Sequence, residues 1–306
     1  MVCHWDEVPW SALRSDALRA ERQRLGAAAG ARDVGLSRYR IAPGCRAMPL
    51  HVHADEEEIF FVLDGSGFSW QDDALHEIRA GDVIVHRAAE EAHTLVASGR
   101  EPLDVLAFGS GSPTGLTQLP RANVVWVGAR WLPADKPHPF VAEPPVADLP
   151  PVAPRPDTIV ALDATELVHA RKGRVERVRR DLGRAAGSVR SGLVHVTVRA
   201  GQRSSPRHCH SVEEELFVVL DGDGVVLLDF GEYPVRAGSV VARPPATGVA
   251  HAFQAGENGM TLLAYGTREP SDMCWYPDSS KVSFRGLRVI ARVETVAYWD
   301  GEDQGS

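Results

Sequence analysis

The sequence predicts an all-β protein made of two similar barrel domains with little helix. Two observations carry this prediction. The chain of 306 residues aligns with itself when it is shifted by 157 positions, so that residue 25 meets residue 182. Short apolar segments also recur at regular spacing and are separated by glycine-containing turns, which is typical of sandwiches and barrels. A chain of this length is moreover better explained by two hydrophobic cores than by one.

The internal repeat is clearest in three pairs of segments with the same separation. They are LGAAAG (25–30) and LGRAAG (182–187), EEEIFFVLDG (56–65) and EEELFVVLDG (213–222), and LAFG (106–109) and LAYG (263–266). Self-similarity at a fixed spacing over most of a chain indicates repeated structural units. We therefore interpret the chain as a tandem duplication of one domain of about 150 residues.

A change in composition separates the two copies. Residues 133–156 contain nine of the 21 prolines, which suit neither the interior of a helix nor a central strand. The predicted organisation is an N-terminal domain at 1–140, a proline-rich linker at 141–157 and a C-terminal domain at 158–306.

The predicted elements are short strands, and the one predicted helix covers residues 11–24. The strands are expected at 58–63, 83–86, 103–108, 215–220, 239–243 and 260–265. In the first of them, side chains alternate, so Phe60 and Val62 share the inward face of Glu58 while Ile59, Phe61 and the following leucine face outward. Both faces are apolar, and both must therefore be covered. We expect the outer face to pack on the other barrel or on a second subunit, which would make a homodimer.

Composition narrows the classes of partner. Asp and Glu number 41 against 33 Lys and Arg, and the net charge of -8 gives no general attraction for a phosphate backbone. No apolar run reaches the roughly 20 residues that span a bilayer, and residues 1–10 do not look like a signal peptide. The four cysteines form no CxxC pair, which is typical of a reducing compartment. We expect a cytoplasmic protein with a small-molecule substrate and with no nucleic-acid or membrane partner.

Histidine and glutamate recur at the same spacing in both copies. In each copy two histidines stand at i and i+2, and a glutamate follows the second after five positions. Side chains at i and i+2 of a strand share a face, so both imidazoles can reach one ion. A third histidine on a later hairpin completes a set that suits one divalent transition metal per copy, such as Fe, Mn, Co, Ni, Cu or Zn. The predicted ligands are His51, His53, Glu58 and His93 in the first copy and His208, His210, Glu215 and His251 in the second.

These residues resemble the motifs of the cupin superfamily. The first motif of that family reads G-x5/6-HxH-x3/4-E-x6-G, which both copies fit, and the second motif ends in a histidine. The resemblance implies a tandem bicupin, with two jelly-roll (double-stranded β-helix) barrels and an ion inside each. The first copy departs in the second motif, because HRAAEEAH at 86–93 lacks the proline and glycine of RPPATGVAH at 243–251.

The resemblance leaves the reaction open. Four protein ligands in an octahedral field leave two positions for a substrate, or for a substrate and O2. An oxygenase acting on a small organic substrate is the first expectation, a non-redox isomerase, epimerase or lyase is the alternative, and a sugar-binding cupin without catalysis is the third. Bicupin oxalate decarboxylases carry an arginine three residues before the first motif histidine. Met48 and Ser205 stand there in this chain, which disfavours that activity.

The segments around the motif histidines predict differences between the two sites. Pro244 and Pro245 restrict the loop before the last histidine of the second copy, so we expect this copy to bind its ion more tightly. Glu90 and Glu91 are expected near the ion of the first copy. Cys209 alternates with the histidines beside it and is expected to point away from the metal.

Overall fold

A computed structural model describes residues 2–15, 18–110, 115–128, 130–132 and 149–302. Strands dominate these residues. Helical segments are short: α1 (Leu25–Ala29), α2 (Leu182–Ala185) and three 3-10 turns at Trp5–Glu7, Leu162–Ala164 and Pro277–Ser279. The strands of the first part are β1 (Val2–His4), β2 (Ser11–Arg14), β3 (Arg19–Gln23), β4 (Val34–Ile41), β5 (Val52–His53), β6 (Glu58–Asp64), β7 (Ser66–Gln71), β8 (Ala74–Arg79), β9 (Asp82–His86), β10 (His93–Ala97), β11 (Leu103–Ser110), β12 (Leu116–Leu119), β13 (Val124–Val127) and β14 (Arg130–Leu132). Those of the second part are β15 (Ile159–Ala161), β16 (Val168–Lys172), β17 (Val175–Asp181), β18 (Ser191–Val198), β19 (Cys209–His210), β20 (Glu215–Leu228), β21 (Gly231–Arg236), β22 (Ser239–Arg243), β23 (His251–Thr267), β24 (Met273–Tyr276), β25 (Lys281–Phe284) and β26 (Val289–Arg292).

Each copy is a jelly-roll barrel, as the sequence predicts. In the first copy a large sheet in the order β15-β9-β6-β11-β4-β3-β2 is accompanied by a smaller sheet, β10-β7-β8. In the second copy the long strands β20 and β23 take part in one sheet, in the order β1-β22-β20-β23-β18-β17-β16, with β21 added on β20. The six predicted strands correspond to β6, β9, β11, β20, β22 and β23. A further sheet of four strands flanks each barrel, β14-β13-β12-β5 and β19-β24-β25-β26.

The predicted helix at 11–24 is wrong. Residues 16–17 lie outside the described residues. The rest of the segment contains the antiparallel pair β2–β3, and β3 continues the large sheet because Ala20 pairs with Ile41 of β4. Only the five residues that follow are helical, and they end at Gly30, which has a φ of 81°. Helix propensity is a weak preference, and pairing with a strand that is already buried outweighs it here.

The two barrels exchange their first strands. Strand β1 from the start of the chain pairs with β22 of the second copy, with Val2 opposite Val241. Strand β15 pairs in the same way with β9 of the first copy, with Ile159 opposite Ile84. The two pairings are related by the same shift of 157 positions as the repeat. The domain limits at 1–140 and 158–306 stay a prediction, and the exchanged strands cross them.

One hydrophobic core lies between the barrels. It combines the outward faces of β6 and β20, including Ile59 and Phe61 from the first copy and Leu216 from the second. Phe108 and Tyr265, which correspond to each other in the repeat, stack with ring centroids 5.1 Å apart. We expected the apolar outer face to be covered either by the other barrel or by a second subunit. In the structure the other barrel covers it. The homodimer stays a prediction.

A buried glutamate of each copy also binds the backbone of the other copy. The carboxylate of Glu214 accepts the N–H groups of residues 32–34. Its counterpart Glu57 accepts the N–H groups of Val189 and Ser191. Both glutamates are about 1% exposed, and each is the middle member of the EEE segment that precedes β6 or β20. Hydrogen bonds to a carboxylate are among the stronger ones, so this reciprocal pair fixes the relative orientation of the barrels.

The described part of the predicted linker lies along the first barrel. The carbonyl of Pro151 accepts the N–H of Leu75, and the carbonyl of Pro154 lies 2.8 Å from Nδ1 of His76. Linker residues 141–148 lie outside the described residues. Among the described residues, no helix is long and apolar enough to cross a bilayer.

Candidate metal centres

The four predicted ligands of the first copy come together inside the first barrel. Nε2 lies 3.4 Å from Oε2 of Glu58 for both His51 and His53, and 2.9 Å for His93. One ligand atom from each of the four residues lies within 4.8 Å of all the others. The sequence spacing therefore brings three imidazoles and one carboxylate to a single point.

Local structure explains how these side chains meet. His51 forms an isolated antiparallel bridge with His93, while Glu58 begins β6, which pairs with β9 and β11 in the large sheet. The loop before His93 turns at Ala89, which has a φ of 59° and whose N–H donates to the carbonyl of His53. The loop of the first copy therefore delivers its histidine without the proline and glycine of the family motif.

The ring nitrogens of the first site are arranged as metal ligands require. Nδ1 of His51 lies 2.9 Å from the carbonyl of Pro49, and Nδ1 of His53 lies 2.9 Å from Oγ1 of Thr117. The opposite nitrogens, Nε2 of both histidines, are buried and find no hydrogen-bond partner among the described residues. Holding Nδ1 in this way fixes the ring and directs the Nε2 lone pair at one point. The donor set thus fits a divalent transition metal.

The second barrel repeats the arrangement with wider spacing. The Nε2 atoms of His208, His210 and His251 lie 3.9, 3.5 and 3.0 Å from Oε2 of Glu215. His208, Glu215 and His251 form one group of ligand atoms within 4.8 Å of each other. Oε2 of Glu215 and Nε2 of His251 are buried and contact each other, while Nδ1 of His251 is buried without a hydrogen-bond partner among the described residues. This site too has buried donors that a cation would satisfy.

Electrostatics favour the metal-binding charge state at His93, His208 and the two glutamates, but they favour the protonated state at His53 and His210. Burial and neighbouring imidazoles lower the pKa of His93 to about 3 and that of His208 to about 4. Burial opposes ionisation of Glu58 and Glu215, but the histidines around each carboxylate hold its pKa below the usual range. Burial would also lower the pKa of His53, but the Glu58 carboxylate raises it to about 9.

The first site contains a histidine that the motif spacing does not identify. His86 is about 1% exposed, and its ring stacks on that of His93 with centroids 3.8 Å apart. Its Nδ1 lies 2.7 Å from Oε1 of Glu91, and its Nε2 is buried without a partner among the described residues. Burial, with the neighbouring imidazoles, lowers the pKa of His86 to about 3. The second copy has Arg243 at the corresponding position.

The second site has its own additional residues, all on β24 or just before it. Oδ2 of Asp272 lies 2.7 Å from Nδ1 of His210. The sulfur of Cys274 belongs to a group with His208 and His210 whose ligand atoms lie within 4.8 Å of one another. Tyr276 stacks on His208 at 5.8 Å. Comparison of the two copies is the signal for these residues, because the first copy has glycine, threonine and leucine at the corresponding positions.

Three further residues with sequence-based expectations are Glu90, Glu91 and Cys209. Glu91 lies in a group with His86 and His93, as expected. Glu90 pairs with Arg87 at 3.3 Å and is half exposed, and its expected position near the ion stays a prediction. Cys209 is buried and belongs to none of the groups of metal-type ligands among the described residues.

The family model of the cupin domain matches the chain twice, at residues 37–109 and 194–264. Each match contains one complete set of the candidate ligands. The chain belongs to the cupin superfamily. It is a bicupin, because each of its two jelly-roll barrels corresponds to one match.

Comparison with solved structures agrees with the two-barrel architecture. A deletion mutant of the oxalate decarboxylase of Bacillus subtilis superposes on the bicupin with a TM-score of 0.61 and 15% sequence identity, over 87% of this chain and 76% of that chain. A cupin sugar phosphate isomerase from Silicibacter pomeroyi is 30% identical over 40% of this chain and 83% of its own, with a TM-score of 0.38. No curated protein has a significant match to the sequence. The similarity to the oxalate decarboxylase shows the fold alone.

Proposed function

We propose that the bicupin is a metal-dependent enzyme that binds one divalent transition-metal ion in each barrel. The ligands are His51, His53, Glu58 and His93 in the first barrel and His208, His210, Glu215 and His251 in the second. The observation that carries this proposal is the convergence of three imidazoles on one glutamate in each barrel, with every Nε2 within 3.9 Å of the carboxylate Oε2. In the first barrel Nε2 of His51 and of His53 is also buried without a hydrogen-bond partner among the described residues. Buried polar atoms left unpaired cost free energy, and a bound cation would remove that cost.

The first barrel is the better candidate for the catalytic site, with proton transfer as its chemistry. A metal ion bound there would act as a Lewis acid on a substrate carbonyl. His86 supplies a base at the same place. A carboxylate can only accept a hydrogen bond, so Glu91 keeps the proton on Nδ1 of His86 and leaves a bare lone pair on Nε2. Glu91 also stabilises the imidazolium that forms when Nε2 takes a proton.

This arrangement favours an isomerase, epimerase or lyase acting on a small carbonyl compound. In such reactions a base removes a proton from the carbon next to a carbonyl and returns it elsewhere, or a neighbouring bond breaks. The low pKa of His86 keeps the ring neutral at physiological pH, so Nε2 carries a free lone pair. The second barrel has an arginine instead of His86 and therefore lacks this base.

An oxygenase is the second candidate. The nitrogen and oxygen donors of the first barrel suit Fe or Mn, and a fourfold protein ligand set leaves room for a substrate and O2. Phe60 packs against His86 and His93 with ring centroids 5.7 and 6.4 Å away. An apolar wall beside the candidate ligands is compatible with an uncharged gas molecule.

Hydrogen exchange under anaerobic conditions separates these candidates. The metal-loaded bicupin is incubated in D2O with small keto acids, aldoses and sugar phosphates, and loss of C–H signal is followed by proton NMR. Proton-transfer chemistry predicts exchange without O2 that falls roughly 100-fold or more in His86→Gln. His195→Gln, which removes a histidine outside the metal-type clusters, is the matched control and should keep the exchange. Turnover that requires O2 supports the oxygenase. Binding without exchange or turnover supports a sugar-binding role.

The free thiols and the buried barrel faces bear on location and assembly. We place the bicupin in the cytoplasm, because Cys3, Cys45, Cys209 and Cys274 are all free thiols. A homodimer would have to use surfaces other than the outward faces of β6 and β20, which are buried between the barrels.

A further inference from the structure

The second barrel has a thiol where the first barrel has a hydroxyl. We propose that Cys274 is an additional ligand of the metal ion in the second barrel, which therefore takes a more thiophilic ion, such as Zn or Co, than the first barrel. This inference rests on the proposed metal sites. It extends them, because the cupin motifs account for three histidines and one glutamate only.

Strand pairing directs Cys274 into the site. Cys274 lies opposite His210 in the antiparallel pair β19–β24, and directly opposed residues of such a pair share a face. Since His210 faces Glu215, the thiol faces the same way. The side chain is about 7% exposed, and its sulfur and the ring nitrogens of His208 and His210 lie within 4.8 Å of one another.

The first barrel shows what this position does in the absence of a thiol. Thr117 corresponds to Cys274 in the repeat and lies opposite His53 in the same register. Its hydroxyl lies 2.9 Å from Nδ1 of His53 and so holds that ring. In the second barrel Asp272 holds Nδ1 of His210 instead, at 2.7 Å. With Asp272 in the orienting role, the sulfur of Cys274 lies beside His208 and His210 as a further candidate ligand atom.

The wider spacing of the second site is consistent with a larger donor set. Its ligand atoms fall into two overlapping groups that share His208: one contains Glu215 and His251, and the other contains His210 and Cys274. In the first group Nε2 of His251 and Oε2 of Glu215 are buried and lie 3.0 Å apart, and both are atoms that can bind a cation. One ion between the two groups would have five donors, one of them a sulfur.

The chemistry of sulfur then separates the two sites. Thiolate ligands favour zinc and other soft or borderline ions, whereas sites built from imidazole and carboxylate also suit Fe and Mn. Coordination requires the thiol to lose its proton to solvent as the sulfur–metal bond forms, with no change in oxidation state. The two barrels of one chain would in this way hold different ions.

Cobalt titration tests the inference, because Co(II) reports thiolate ligands directly. Co(II) is added to the metal-free full-length protein, and the bound ion is counted after gel filtration. We expect two Co(II) per chain and a near-ultraviolet thiolate-to-cobalt charge-transfer band equivalent to one site. Cys274→Ser should lose this band and bind Zn about tenfold or more weakly in the second barrel. Cys209→Ser is the matched control and should keep the band.

A gain-of-function variant covers the case in which the Cys274 variant does not fold. Thr117→Cys should roughly double the charge-transfer band by giving the first barrel the same donor. Two bound Co(II) ions without the band, or a band that persists in a folded Cys274→Ser protein, would overturn the role of Cys274 while leaving the metal sites in place. A protein that binds no Co(II) would overturn the metal sites as well.

Discussion

Three consecutive glutamates in each copy have three different roles. In the first copy Oε2 of Glu56 lies 3.6 Å from Nδ1 of His53, Glu57 binds the backbone of the other barrel, and Glu58 lies among the three histidines. The spacing from the histidine pair predicts Glu58. The role of Glu57 was not predictable from local sequence, because its partners are more than 130 positions away along the chain.

The site residues that differ between the copies were the hardest to predict. The HxH and Glu spacing identifies ligands because strand periodicity places those residues on one face. Three site residues carry no such spacing along the sequence. His86 and Cys274 lie on other strands, and Asp272 lies just before β24. They reach the sites through sheet pairing, which depends on the whole fold.

Metal binding at the first site should depend on pH through one histidine. In the metal-free protein burial would lower the pKa of His53, but Glu58 raises it from 6.5 to about 9, so a proton occupies the site at pH 7. A cation must displace that proton. We expect about one proton released per ion and an affinity that rises roughly tenfold per pH unit from 7 to 9. Calorimetry in buffers of different ionisation enthalpy measures both, with His208→Ala used to disable the second site.

The same shift predicts the stability of the metal-free protein. The pKa of His53 is raised on folding. Its pairing with Glu58 therefore stabilises the folded protein fully below pH 6.5, and that contribution to the free energy of unfolding disappears as the pH rises through about 9.

A metal affinity that does not change between pH 7 and 9, with no proton released on binding, would contradict this account of the first site.

At the level of elements, the loop before the last histidine is the main difference between the barrels. Ala89 and Ala246 both have positive φ, 59° and 56°, and both donate their N–H to the carbonyl of the second histidine of the pair. The two loops therefore make the same turn, although that of the second barrel is one residue longer. This turn explains how the first barrel keeps its histidine in place after losing the motif's proline and glycine.

We expect the second barrel to release its ion more slowly. Pro244 and Pro245 restrict its loop, and the Asp272 carboxylate orients His210. The measurement compares His51→Ala with His208→Ala during slow titration with a chelator. The protein that keeps only the second site should lose its ion roughly 10- to 100-fold more slowly. If His208→Ala keeps its remaining ion longer, the first barrel is the tighter site.

Strands were easier to predict than the one proposed helix. Segments such as EIFFVL have apolar residues on both faces and end in a turn, so their type follows from the sequence alone. Residues 11–24 carry no comparable signal, and they form strands because β4 offers an edge with which β3 can pair. The intrinsic secondary-structure preference of a segment has little influence where a neighbouring strand is available for pairing.

For the whole molecule, the repeat predicted two barrels but not their exchange of strands. The apolar outer faces indicated contact between barrels, which the shared core confirms. Strands β1 and β15 have only three residues each, too few for a recognisable pattern. The exchange of these strands depends on the two barrels being assembled together.

The exchanged strands predict that the barrels stay together after the chain is cut. A protease site inserted after Asp148 would leave β15 in the C-terminal fragment, still paired with β9 of the N-terminal fragment. The shared core and the pair formed by Glu57 and Glu214 add to this association. We expect the cut protein to elute from a size-exclusion column as one species of unchanged size. Separation into two fragments under native conditions would show that these contacts are too weak to hold the barrels.

Metal content tests the central claim most directly. The bicupin is purified without chelator, supplied in turn with Fe, Mn, Ni and Zn, and analysed for bound ions per chain. Two buried sets of three histidines and one glutamate predict about two divalent ions per chain, and one ion after either Glu58→Gln or Glu215→Gln. Metal at background level with every ion supplied would contradict the assignment of these residues as ligands.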